Sequence, residues 1–116
     1  MATPVPNIND GSANRMPCAW YELSADGAIP IDTECVIITK ATAVAATLAA
    51  PTNPDMDGQR MAIVSATAAA HVITATDLIN GTNDVITFGA AVANGVTLRA
   101  WQGGWYTGED TGMTVS

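Results

Sequence analysis

Between Glu34 and Ala100, large apolar residues alternate with small or polar ones, and the alternation recurs at a 25-residue period over 34–50, 59–75 and 84–100. Val36, Met61 and Ile86 occupy one column of this repeat, Ile38, Ile63 and Phe88 a second, and Leu48, Ile73 and Leu98 a third. Alanine is identical at 41/66/91, 43/68/93 and 50/75/100. Within each arm of a unit the apolar positions lie two apart, the period of a strand with one buried face. Each unit therefore reads as strand, small-residue turn, strand, a hairpin used three times. The Ala-rich middle of unit one could instead nucleate a helix, since alanine is the best helix former. The same position in unit three is AAVANG, whose Asn94-Gly95 is a turn pair, and this favours strands throughout.

The punctuation supports that division. Pro51, Pro54 and Asp57-Gly58 separate units one and two, and Asn80-Gly81 separates units two and three. Upstream, Trp20 and Tyr21 are adjacent and would face opposite ways in a strand. Asp26-Gly27 is a turn signal, and Pro30 between Ile29 and Ile31 marks a sheet edge or lead-in. Downstream, Trp101 and Trp105 bracket Gly103-Gly104, as in a hairpin whose aromatics pin the register, and 112–115 has the makings of a last short strand. No stretch predicts a helix longer than two turns. Residues 1–17, with three prolines and three asparagines, cannot bury enough surface to offset their ordering entropy. The expected fold is all-β: a compact sandwich or barrel of about seven or eight short antiparallel strands. It is built from the three repeated hairpins, with an extended N-terminal arm over 1–25 and the β-domain over 26–116.

Composition narrows the function classes. Hydrophobic residues make up 48% of the 116-residue chain but aromatics only 5%, so the core is thin, and oligomerisation is a common remedy. Eleven acidic and four basic residues give a net charge of −7. Arg15, Lys40, Arg60 and Arg99 stand singly along the chain, which argues against direct nucleic-acid binding. The N-terminus has no signal-peptide pattern, and no apolar run is long enough for a spanning helix, so synthesis in a cytoplasm with no membrane partner is expected. A disulfide between Cys18 and Cys35 is possible, but free thiols are the default in a reducing compartment.

Candidate chemistry is sparse. His71 is the only histidine, and an acyl-transfer site would need it as base. The repeat aligns it with Ala46 and Val96, which makes it a packing position. One His and two separated Cys supply no zinc set, and Asp55, Asp57 and Gly58 only echo a calcium loop whose other ligands are missing. Turn chemistry accounts better for that pair and for Glu109-Asp110. No catalytic, cofactor-binding or metal residue is assigned, and an enzyme is not expected. Trp101, Trp105 and Tyr106 are the candidate hairpin aromatics: a carbohydrate or peptide platform on one reading, core or register residues on the other.

The stretches Thr39–Pro51, Asp57-Gly58, Ile63–Thr74, Phe88-Gly89 and Val96–Tyr106 together resemble small virion structural proteins of tailed bacteriophages. Such stretches occur in head decoration (cement) or head-fibre proteins and in segments of tail proteins. The resemblance spans about 26–116, and its motifs are rich in alanine and threonine. It implies an all-β virion component, a homotrimer, and no catalytic residues. The reading that follows is a capsid decoration protein on the outer surface of the assembled head, with the major capsid protein as partner. Its arm would contact the capsid through Pro4, Val5, Pro6, Ile8, Arg15 and Met16. The alternative is a tail-fibre or baseplate adaptor that binds other virion proteins or a host surface glycan.

Overall fold

The computed structural model describes residues 19–51 and 56–116. The described chain is all-β without a helix, and strands take up 56% of it in a nearly closed, barrel-like sheet. The ten strands are β1 (Trp20–Leu23), β2 (Gly27–Ile29), β3 (Cys35–Ile38), β4 (Ala45–Leu48), β5 (Arg60–Ser65), β6 (Val72–Ile79), β7 (Asn83–Phe88), β8 (Gly95–Trp101), β9 (Gly104–Thr111) and β10 (Met113–Val115). They fall into two faces, β1-β3-β5-β8-β9 and β2-β4-β6-β7-β10. A single bridge, Ile79 to Trp105, ties β6 to β9 and joins the faces.

The repeat units are real strand–turn–strand segments, but they are arches and not hairpins. β3 and β4 of unit one do not pair with each other. β3 pairs parallel with β5, and β4 pairs parallel with β6, so units one and two lie on top of one another as rungs. β1 and β2 form a rung below them, again in parallel. The structural register sets Val36 opposite Ile63 and Ala46 opposite Ile73, two residues from the sequence repeat. A shift of two keeps every inward side chain inward, so the hydrophobic pattern permits either register. Unit three is inverted. Its first strand, β7, runs antiparallel beside β6, and its second, β8, runs antiparallel beside β5. The expected all-antiparallel arrangement is therefore replaced by a mixed one.

The connectors account for the switch in direction. Parallel neighbours need a crossover of about a dozen residues. The Pro-containing link from Leu48 to Arg60 is long enough to cross from one face back to the other. After β6, a short turn at Asn80 (φ 51°) and Gly81 (φ 100°) sends the chain straight back beside the strand it has left, with Ile79 opposite Asn83. A second reversal follows at Gln102 (φ 48°) and Gly103 (φ 82°), one residue earlier than the Gly103-Gly104 expected, since Gly104 already pairs with Trp101. Asn94-Gly95 is likewise not the turn of unit three. The positive φ falls on Ala93, and Gly95 lies in β8, where a Cβ would come within 2.5 Å of the Ile63 carbonyl oxygen.

Leu23, Val36, Ile38, Met61, Ile63, Val96, Leu98 and Trp105 from one face meet Ile29, Leu48, Ile73, Ile86 and Phe88 from the other. Among described residues Phe88 and Trp105 are the only fully buried aromatics, so the core is thin, as composition implied. β1 lies within the expected arm (1–25) yet pairs along its whole length with β3, so the folded part begins earlier than 26. The arm candidates Pro4, Val5, Pro6, Ile8, Arg15 and Met16 lie outside the described residues. Cys35 is disulfide-bonded, which corrects the free-thiol expectation; the chain's other cysteine, Cys18, also lies outside them.

Candidate interaction surface

All five arches turn at the same edge of the stack, and a ladder of polar contacts runs along it. Asp26 accepts from Lys40 Nζ and from the Ala45 N–H, at 2.8 and 2.9 Å. These two contacts, led by Lys40, hold its carboxyl below the usual aspartate range. Thr67 Oγ1 donates to the Lys40 carbonyl at 2.6 Å and sits 2.8 Å from His71 Nε2. His71 Nδ1 accepts the Val44 N–H at 3.0 Å. Thr67 has spent its one hydroxyl proton on Lys40, so His71 must carry its proton on Nε2 and stay neutral. Burial, reinforced by the charge on Lys40 and opposed by a backbone hydrogen bond at Thr67, lowers its pKa from the ordinary value. The side chain has no exposed surface. His71 is thus a buried peg between rungs, in line with its expected packing role.

The outward positions differ sharply between the faces. On the second face the central rows run Ala45–Val72–Thr87–Thr114 and Ala28–Thr47–Thr74–Val85, without a charge. On the first face the rows are Glu22–Ile37–Val64–Gly95, then Trp20–Cys35–Ala62–Thr97, then Arg60–Arg99–Tyr106. The remaining described acids occupy turns, strand ends and two irregularities: the register shift between Thr107 and Asp110, and that between Thr74 and Ile79, where exposed Asp77 donates its N–H to Asp84 at 2.8 Å. Asp57 accepts the Gln102 N–H at 2.8 Å, a turn contact. Among the described residues no three metal-binding side chains converge, and no helix is long and apolar enough to cross a membrane.

The three candidate aromatics separate. Trp105 is fully buried and donates its indole N–H to the Ala49 carbonyl at 2.9 Å. Trp101 (54% exposed) and Tyr106 (40%) face outward in an edge-on pair, with centroids 6.3 Å apart at 67°. Strand parity decides this split, because Trp105 and Tyr106 are neighbours in β9 and must point to opposite sides. Sequence reasoning missed Arg60 and Arg99 as a pair. They are far apart in the chain and meet only because β5 runs against β8.

Searches against protein-family models, curated proteins and solved structures find no match to this chain.

Proposed function

We propose that the protein is a bacteriophage capsid decoration protein, a homotrimer that binds the outer surface of the assembled head and stabilises it. The observation that carries the reading is the pair of charge-free central rows on the outer side of the β2-β4-β6-β7-β10 face, on a chain of net charge −7. Acidic groups elsewhere keep free protomers soluble, while the Ala/Thr/Val rows can dock on a capsid lattice with little desolvation of charge. The resemblance of 26–116 to virion proteins points the same way. The mechanism is mass action, since a ligand that binds only the assembled shell stabilises that state.

Co-sedimentation with expanded, DNA-free heads of the phage that encodes the chain tests this, using full-length protein, a form lacking 1–17, and Thr74→Lys. Saturable binding of the full-length protein, weakened by the deletion and lost in folded Thr74→Lys, is the expected result. A folded wild type that does not bind heads would overturn it. The exposed Trp101–Tyr106 pair favours the tail-adaptor reading as the second one; binding to purified tails and not to heads would establish it.

A further inference from the structure

Arg60 and Arg99 lie directly opposite each other across β5 and β8, both outward and exposed, with Tyr106 next in the same row. Like charges placed opposite on one sheet face destabilise it. The chain has only four basic residues against eleven acidic ones, and half of the basic ones meet here. Neither guanidinium makes an ion pair or hydrogen bond with a described residue, whereas Lys40 is held by Asp26. Glu34 lines a shallow cleft of about 220 Å³ with Arg60, and Asp57 is engaged by the Gln102 N–H; neither carboxylate lies within ion-pair distance of either arginine. Beside this pair stand the two exposed rings of Trp101 and Tyr106.

We infer that this row is a binding site for a carboxylate-bearing saccharide, whether the protein sits on a head or a tail. A planar guanidinium matches a carboxylate in bidentate fashion, and adjacent forks give the anion a choice of two. An exposed indole offers a flat apolar face to the C–H side of a sugar ring. A single phosphate would use the arginines but leave the rings without a role. Nucleic acid would need a longer basic track than two residues.

The test is an NMR titration of ¹⁵N-labelled full-length protein with methyl glucuronide and, in parallel, methyl glucoside, which lacks the carboxylate. The glucuronide should shift the Trp101 indole and the amides of Arg60, Arg99 and Tyr106. The glucoside should bind roughly tenfold more weakly, the loss expected for one charge-assisted hydrogen bond. Arg99→Gln and Trp101→Ala should each weaken glucuronide binding by a similar factor. Because it removes a like-charge contact, Arg99→Gln should also leave the melting temperature unchanged or raise it. Equal binding of the two glycosides, no binding at tens of millimolar, or shifts confined to another part of the sheet would overturn the proposal. A fall in melting temperature for Arg99→Gln would do so as well, by making the pair structural.

Discussion

Replacing His71 tests the arch-edge ladder at its centre. The imidazole is fully buried, accepts the Val44 N–H through Nδ1 and reaches Thr67 through Nε2. In His71→Asn the amide oxygen can stand in for Nδ1, but nothing reaches Thr67. The loss should be about 1–2 kcal/mol, the worth of one buried hydrogen bond and a small void. His71→Ala also leaves the Val44 N–H unpaired in a larger cavity, and should cost about 3–5 kcal/mol. The pH dependence is the sharper signature. The native pKa is depressed, so below pH 6.5 the unfolded chain takes up a proton that the folded chain refuses. Stability from this source is complete above about pH 6.5 and is lost as pH falls towards the folded pKa, by at most about 1.4 kcal/mol per unit. No other histidine titrates in that window, and Asp26, with its lowered pKa, acts only in stronger acid. Urea unfolding followed by the fluorescence of buried Trp105, between pH 5 and 8, measures both effects. The wild-type curve should fall below pH 6.5, and the His71→Asn curve should stay flat there. A slope that survives the substitution, or an Nδ1-protonated tautomer by ¹⁵N NMR, would refute the reasoning.

Three further outcomes follow from the packing. Trp105→Phe keeps the ring in the core but leaves the Ala49 carbonyl without its indole donor; denaturant titration should read a loss of about 1–3 kcal/mol, whereas Trp101→Phe should be close to neutral. Gly95→Ala forces a methyl against the Ile63 carbonyl between β5 and β8 and should lower stability by about 1–3 kcal/mol, while Gly103→Ala meets no atom and costs only the strain of a positive φ. Reduction with dithiothreitol should lower the melting temperature, corresponding to about 2–4 kcal/mol, because the disulfide at Cys35 sits where the edge strand β1 joins β3; identical melts with and without reductant would refute that role.

Much of this fold was legible in the chain, and the illegible part has a specific physical origin. Alternation at Val36/Ile38, Met61/Ile63 and Ile86/Phe88 marked the strands and their inward faces correctly, since burial and the period-two pleat leave little choice. The same alternation is indifferent to which strand lies alongside which. Val36 is equally well served by Met61 or Ile63 as neighbour, because both are buried on the same side. An arch and a hairpin also have the same pattern, as each needs only two strands and a turn of small residues. The Arg60–Arg99 row was hidden for the same reason, and the Trp101/Trp105/Tyr106 group was split by parity once β9 was known to begin at Gly104.

What does distinguish the arrangements is the chemistry of the connectors. Asn80-Gly81 and Gln102-Gly103 supply consecutive positive φ values in short loops, a geometry that returns a strand beside its predecessor. The segment 39–44, with no glycine, spans the gap between faces instead, and the 49–59 link returns the chain to start a parallel rung. Direction is therefore encoded at the breaks between units and not inside them, so three similar units can stack as two parallel rungs and one inverted. The inversion has a structural consequence at the far end. It carries β8 next to β5 with β9 on its far side, which places Arg99 against Arg60 and aligns Tyr106 in the same row. A third parallel rung would have put the first arm of unit three beside β5, setting Val85 or Thr87 opposite Arg60 under the two registers of the repeat. The reversal at Asn80-Gly81 is thus what assembles the exposed arginine and aromatic row.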